Sequence, residues 1–146
     1  MPAASPPGLW YLQWRIWQDA RQRLGEVLAP LGLSAREFWL LTLIREAPRP
    51  QRELAAVCGL DPSSMVALLD GFERRGWTTR RHDAHDRRVH LVALTPCGEA
   101  LVRRARPRAL RAERAQLSRL APQQRVELLA LLRQLADATL PDPPRS

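Results

Sequence analysis

The chain has 146 residues, which is enough for one compact domain with a hydrophobic core and too few for two comfortable ones. Its 23 basic residues are all arginines, and against 15 acidic residues they leave a formal charge of +8. This excess favours a polyanionic partner, through long-range attraction and counterion release. A basic surface that is merely solvated is the alternative interpretation.

No segment predicts membrane insertion or export. The longest apolar run, residues 38–44, is far shorter than the ~20 residues that cross a bilayer. Residues 1–7 have neither the basic nor the apolar region of a signal peptide. Cys58 and Cys97 form neither a disulfide framework nor a CxxC pair, so we expect a cytoplasmic protein with inert thiols.

Two helices are predicted in the first third of the chain. The first covers residues 9–30, and its apolar stripe is Trp10, Trp14, Trp17, Leu24, Val27 and Leu28. Ser34 and Glu37 have the spacing of a capping box that begins the second helix. The expected buried side of this helix is Phe38, Trp39, Leu41, Leu43 and Ile44. Pro48 and Pro50 are expected to end it.

A helix-turn-helix is predicted next. A short third helix covers residues 51–58, and a fourth begins with Asp61 as its cap and Pro62 at its first position. The fourth helix is expected to run to about Arg75, with an inner face of Met65, Leu68, Leu69 and Phe72. Only residues 59–61 separate the two helices, which is the length of the turn in this motif.

A β-hairpin with a charged turn follows. Residues 77–81 are rich in β-branched and aromatic side chains, and residues 89–93 alternate as in a half-buried strand. The exposed end of the turn is predicted to carry Asp86, Arg87 and Arg88. A hairpin directly after a helix-turn-helix makes a winged helix-turn-helix lobe, here residues 34–95.

The C-terminal third is predicted to be helical. One helix runs to about Ser118 with an interruption or kink at Pro107, and a last helix carries the stripe Leu128, Leu131, Leu132 and Leu135. The predicted fold class is mainly α with a small β-hairpin, in a single domain. Dimerisation helices over residues 9–30 and 98–139 flank the winged lobe, and flexible tails cover residues 1–8 and 140–146.

Three segments carry motifs that are highly specific in combination. They are Gln51-Arg52-Glu53-Leu54-Ala55, then Asp61-Pro62-Ser63-Ser64 with residues 69–76, and Asp83-Ala84-His85-Asp86-Arg87-Arg88 with residues 94–98. Over most of residues 9–138 the chain resembles the MarR family of bacterial transcriptional regulators. The resemblance implies a homodimer with intertwined first and last helices. It also implies a pseudo-palindromic DNA site read by two recognition helices and two wings.

The resemblance implies DNA contacts at named positions. Arg88 matches the wing-tip arginine that enters the minor groove, and Asp86 matches the carboxylate that orients it, whereas Arg87 could instead bond within the wing. Ser63 and Ser64 stand in the first turn of the recognition helix, where contact with DNA and simple capping are both open for Ser63. The other expected contacts are Arg52, Val66, Ala67 and Arg74.

The recognition helix departs from the family pattern. Many relatives carry Thr-Arg or Ser-Arg where this chain has Val66 and Ala67, and often a basic residue where it has Gly71. We therefore expect poorer hydrogen-bond readout in the major groove, with thymine-methyl contacts and groove-shape reading carrying more of the specificity. The same departure motivates the main alternative, a winged-helix protein–protein interaction module without specific DNA binding.

A ligand site is a further expectation from the resemblance, because MarR relatives often bind small aromatic anions between the dimer helices and the DNA-binding lobe. Trp14, Trp17 and Trp39 could line such a cavity, with Arg21 as the anionic ligand's partner. Tryptophans at helical spacing are equally explained as dimer core. The urate-responsive subgroup has an Asp where this chain has Phe38 or Trp39, so urate is not expected.

Other chemistry is weaker. Peroxide-sensing relatives place a reactive cysteine near the start of the first helix, and this chain has none there. His82, His85 and His90 with Asp83 and Asp86 could mimic a zinc cluster, but alternating faces of a wing would scatter these groups, so no metal or cofactor is expected. No nucleophile stands beside these histidines and no Gly-rich phosphate loop is present, so an enzyme is not expected.

Overall fold

A computed structural model describes residues 8–84, 86 and 88–137. The described chain contains α1 (Leu9–Leu28), a 3-10 turn (Ala29–Leu31), α2 (Ala35–Glu46), β1 (Arg49–Pro50), α3 (Gln51–Cys58), α4 (Pro62–Arg74), β2 (Thr78–His82), β3 (His90–Leu94), α5 (Pro96–Gln116) and α6 (Pro122–Asp137). The chain divides into two compact units, one ending at Glu113 and the other beginning at Arg114. Apart from Gly8, the predicted flexible tails lie outside the described residues.

The predicted hairpin is confirmed, but the sheet has a third strand. β2 and β3 pair antiparallel, and β1 pairs with the other edge of β3, which gives the order β1-β3-β2. This third strand is not among the predicted elements, because Pro50 in the sequence indicates only the end of a helix. A proline is accepted in a two-residue edge strand, where its missing N–H costs the sheet little. β1 leads directly into α3.

The helix boundaries follow local capping chemistry. The backbone N–H of Glu37 donates to Ser34 Oγ at 3.2 Å, and the N–H of Ser34 donates to Glu37 Oε2 at 2.8 Å, which confirms the predicted capping box of α2. Gly59 ends α3 with φ of +60°, a conformation that glycine adopts without a steric penalty. The boundaries of α3 agree with the prediction.

The core of the lobe is formed by one face of each short helix and by the middle of β3. In α4 the buried residues are Met65, Leu69 and Phe72, as predicted apart from the half-buried Leu68. In α2 the expected pattern was partly wrong, since Leu40 is fully buried and Trp39 is 57% exposed. The central strand is covered on both faces, because adjacent Val92 and Ala93 are both buried.

The last two helices differ from the prediction in one respect. α5 is one continuous helix through Pro107, so of the two expected outcomes at this residue, an interruption or a kink, the interruption is not found. Pro107 and Arg103, whose carbonyl loses its helical partner, are both exposed, so solvent can satisfy that carbonyl. α6 begins at Pro122 and places Val126, Leu131, Leu132 and Leu135 among the exposed large apolar residues of the single chain.

In the described part of the chain, no single helix combines the length and the apolar character needed to cross a membrane. Two pairs of helices meet the requirements of length and composition only when each pair is taken together. These are α1 with α2 and α3 with α4, which bend by 78° and 112° at their breaks.

Candidate nucleic-acid interface

The lobe presents one side of α4 to solvent. α3 and α4 meet at 112° across a three-residue turn, as in a helix-turn-helix. Because Met65, Leu69 and Phe72 anchor the inner side of α4, Val66 and Ala67 lie away from the core. Val66 is 39% exposed and Ala67 is also exposed, so the two expected base contacts lie on an accessible, uncharged surface.

The N-terminus of α4 is organised by Asp61. Its carboxylate caps the helix by accepting the backbone N–H of Ser64 at 2.9 Å, and it also accepts the hydroxyls of Ser63 and Ser64, each at 2.5 Å. These bonds, led by the one from Ser63, hold the pKa of the Asp61 carboxyl well below its usual range. The carboxylate is an acceptor only, so both serines must donate to it. Asp61, rather than a serine, is therefore the capping residue.

The turn between β2 and β3, which forms the tip of the wing, is stabilised by two aspartates. Asp83 Oδ1 accepts the backbone N–H of Asp86 at 3.1 Å, and Asp86 Oδ1 accepts the backbone N–H of Arg88 at 2.9 Å. Asp86 thus holds the backbone from which the Arg88 side chain projects, and both residues are exposed. A carboxylate that orients the arginine was expected, and its observed contact runs through the main chain. Arg87 lies outside the described residues.

Two further predicted contacts lie at opposite ends of the helix-turn-helix. Arg52 is exposed in the first turn of α3, and Arg74 is exposed in the last turn of α4. Neither position is buried against the core, so both guanidinium groups are accessible to a phosphate backbone. Arg52 and Arg74 are exposed in the structure, and their contacts with DNA stay a prediction.

Two ion pairs that the sequence did not predict connect the wing with α4. Arg80 on β2 donates to Asp70 Oδ1 at 2.7 Å and to Glu73 Oε2, and these two acids are three residues apart on α4. The three side chains are partly buried, which shields the pairs from solvent more than an open surface would. Acids at i and i+3 on a helix share one face, which is the sequence signal that was available.

A further ion pair connects α2 with the C-terminal end of α4. Arg75 donates to Glu37 Oε1 at 2.8 Å, and its guanidinium lies 4.7 Å from the ring centre of Trp77. Glu37 therefore serves the capping box of α2 through one oxygen and Arg75 through the other. The helix that carries Val66 and Ala67 is fixed at its far end by this contact.

The residues proposed for a ligand site are accessible in the single chain. Trp14, Trp17 and Trp39 are each more than half exposed, and the Arg21 guanidinium lies 5.5 Å from the ring centre of Trp17. An open depression does include Arg21, but its other lining residues are polar or small members of α1, namely Gln18, Gln22, Gly25 and Glu26. The described chain brings Arg21 and Trp17 together, and a site with all four residues stays a prediction.

The cysteines differ in their surroundings. Cys58 is half-buried at the end of α3, and burial raises the pKa of its thiol. A raised pKa lowers the fraction of nucleophilic thiolate, which favours the inert role expected for Cys58. Cys97 is exposed in the first turn of α5.

A helix-turn-helix followed by an antiparallel hairpin with an arginine at its exposed tip defines the class of winged helix DNA-binding proteins. The family model of the MarR family matches residues 31–89 of this chain. The HTH-type transcriptional repressor Rv2887 of Mycobacterium tuberculosis is 33% identical over 127 residues, covering 86% of this chain and 91% of that protein. The chain belongs to the MarR family, whose members are transcriptional regulators.

Solved structures agree with this assignment. The structure of Rv2887 in complex with salicylic acid gives a TM-score of 0.76 at 30% identity, covering 91% of this chain and 99% of that one. The transcriptional repressor CouR bound to a 23-mer DNA duplex gives 0.78 at 32% identity, covering 88% and 92%. Chains similar to this one have therefore been solved with DNA and with a small aromatic acid.

Proposed function

We propose that the chain is a transcriptional repressor that binds a pseudo-palindromic operator as a homodimer. The observation that carries the proposal is the exposed side of α4 next to a wing whose tip presents Arg88, within the fold of the MarR family. The repressor Rv2887 and the DNA-bound repressor CouR are similar over most of the chain, which supports the same activity here. The formal charge of +8 fits a polyanionic partner.

The proposed mechanism combines contacts in the two DNA grooves with contacts to the phosphate backbone of the DNA. α4 enters the major groove, where Val66 and Ala67 contact thymine methyl groups. Arg88 enters the adjacent minor groove, and Arg52 and Arg74 bind phosphates and set the register. Arg87 is the remaining wing residue proposed to contact DNA.

The serines of α4 are proposed to read bases rather than phosphates. Their hydroxyl protons are engaged by Asp61, so the two oxygens act as hydrogen-bond acceptors at an exposed helix end. Such oxygens accept hydrogen bonds from the amino groups of adenine or cytosine, whereas a phosphate oxygen has no proton to offer. The negative charge of Asp61 at the same helix end further disfavours a phosphate there.

The direct test is binding to DNA from upstream of the protein's own gene. A labelled fragment should shift in a gel at a protein concentration that leaves an unrelated fragment of equal length unbound, and the shift should weaken as salt rises. Equal affinity for both fragments, or no binding to either, would favour the alternative of a protein–protein interaction module.

Dimerisation is expected to be obligate. Two apolar stripes are exposed in the single chain: Trp10, Trp14 and Trp17 on α1, and Leu131, Leu132 and Leu135 on α6. Exposed apolar stripes of this kind are usually covered by a second copy of the chain. Sedimentation should show a dimer at micromolar concentration, and truncation after Ser118 should leave an aggregating or unfolded product. A well-folded monomer would contradict the intertwined dimer.

A small aromatic anion is proposed to release the protein from DNA. The exposed tryptophans and the Arg21–Trp17 contact offer an aromatic and cationic surface, and Rv2887 has been solved with salicylic acid. Salicylate should quench tryptophan fluorescence saturably and weaken DNA binding over the same concentration range, because one ligand would bias one equilibrium. Quenching that leaves DNA affinity unchanged would indicate a passive apolar surface.

A further inference from the structure

The base of the wing brings two histidines together. His82 is the last residue of β2 and His90 is the first of β3, and they are direct cross-strand partners. Their ring centres are 4.5 Å apart and the ring planes are tilted by 42°. Both residues are exposed. The alternation of side chains between the two faces of the wing was predicted to separate the histidines. For this pair that prediction is wrong.

The register explains why the two rings are close. The adjacent pair is hydrogen-bonded, since the N–H of Asp83 donates to the carbonyl of Val89 at 2.9 Å. Hydrogen-bonded and non-hydrogen-bonded pairs alternate along an antiparallel ladder, so His82 and His90 form a non-hydrogen-bonded pair. Side chains approach most closely at such positions, and both imidazoles are on one face of the hairpin.

The spacing matches that of two imidazoles on one metal ion. A metal–nitrogen bond of about 2.0–2.1 Å puts the ring centre roughly 3.2 Å from the ion. Two such rings at the right angle of square-planar or octahedral coordination have centres about 4.5 Å apart, whereas a tetrahedral angle would separate them by about 5.2 Å. The observed separation of 4.5 Å is thus compatible with two imidazoles on one ion, and imidazole ligands suit Cu²⁺ and Ni²⁺.

The charge on this face also suits a cation. Arg80 precedes His82 by two residues, so its side chain is on the same face of β2. It is paired with both Asp70 and Glu73, and this cluster of three carries a net charge of −1. The Arg80 guanidinium is thus already paired with carboxylates.

We propose that His82 and His90 form a two-histidine site for a divalent transition-metal ion such as Cu²⁺ or Ni²⁺. In the described residues no group of three His, Cys, Asp or Glu side chains could hold a metal, and water or an incoming ligand is proposed to complete the coordination. A bound ion joins β2 to β3 at the last strand pair before the turn that carries Arg88. The site is independent of the proposed repressor activity.

The test is a calorimetric titration of the purified full-length protein with NiCl₂, followed by electron paramagnetic resonance of the Cu²⁺-loaded protein. Wild type should bind one Ni²⁺ per chain and give the nitrogen hyperfine pattern of two imidazoles. His82→Ala and His90→Ala should each weaken Ni²⁺ binding by about tenfold or more, because one of two ligands is lost. MgCl₂ should give no binding, since Mg²⁺ prefers oxygen ligands.

The third histidine provides the matched control. His85→Ala removes an imidazole from the same wing and should leave Ni²⁺ affinity and the Cu²⁺ spectrum unchanged. Thermal unfolding in EDTA should show that all three variants fold as wild type does, and added Ni²⁺ should raise the Tm of wild type and His85→Ala only. Unchanged affinity in His82→Ala and His90→Ala, or an equal loss in His85→Ala, would overturn the site.

Discussion

Gly98→Ala is expected to destabilise the protein severely. A Cβ atom at this position would lie 2.1 Å from the carbonyl oxygen of Trp77 and 3.3 Å from Leu94 Cδ2. That carbonyl cannot easily move, because it accepts the backbone N–H of Thr95 at 3.0 Å. The start of α5 would have to separate from the hairpin, at a cost of about 3 kcal/mol or more. Urea unfolding should show the loss as a lower midpoint.

Gly71→Ala is the matched control on α4. Its Cβ would meet nothing closer than 3.8 Å, and the nearest atom belongs to the flexible side chain of Arg74. Alanine in a helix interior is favoured over glycine by roughly 0.5–1 kcal/mol, so this variant should be slightly more stable than wild type. Comparable losses in both variants would show that the contact between Gly98 and Trp77 is not the cause.

Local signals in the sequence were sufficient for much of the fold. Ser34 and Glu37 predict a capping box because each side chain satisfies a backbone N–H that the first helical turn leaves unpaired. Gly59 and Pro62 bound the turn of the helix-turn-helix because one tolerates a left-handed backbone and the other needs no N–H at the first helical position. These effects act within a few residues, so they can be read from the chain alone.

Features that depend on distant contacts were not predicted correctly. β1 exists because Arg49 and Pro50 pair with Val92 and Leu91, some forty positions away in the sequence, and proline alone suggests only an interruption. Trp39 was expected in the core, yet its neighbour Leu40 takes that place. Hydrophobicity gives the period of a helix more reliably than the identity of each buried residue.

In the candidate interface, too, some features follow from local sequence patterns and others depend on contacts between distant residues. The structure exposes four residues that were predicted to lie on the surface, namely Val66, Ala67, Asp86 and Arg88. They were predictable because the spacing of apolar residues marks the inner side of α4 and a run of charged residues marks the turn. The bonds from Arg80 to α4 were missed because they join a strand to a helix. The engagement of Ser63 and Ser64 by Asp61 is local, but hydroxyl groups have several competing partners that a sequence does not rank.

The most direct test of the central claim, that the wing and α4 together bind DNA, is a salt titration of operator binding by Arg88→Ala. A dimer presents Arg88 twice, so the variant should lose two cationic contacts. The slope of log K against log salt should flatten by about two, at roughly one unit for each lost contact. Each lost groove contact should cost about 1–3 kcal/mol of binding free energy. Asp86→Ala should weaken binding less, because the Arg88 charge remains.

Arg114→Ala is the control for net charge. Arg114 is exposed in the last turn of α5 and falls outside residues 34–95, and its removal changes the charge of the chain by the same amount. It should leave affinity and salt slope close to those of wild type, while Arg88→Ala lowers both. Equal losses from the two variants would show that DNA responds only to net charge, and they would contradict the assignment of the wing as a DNA-binding element.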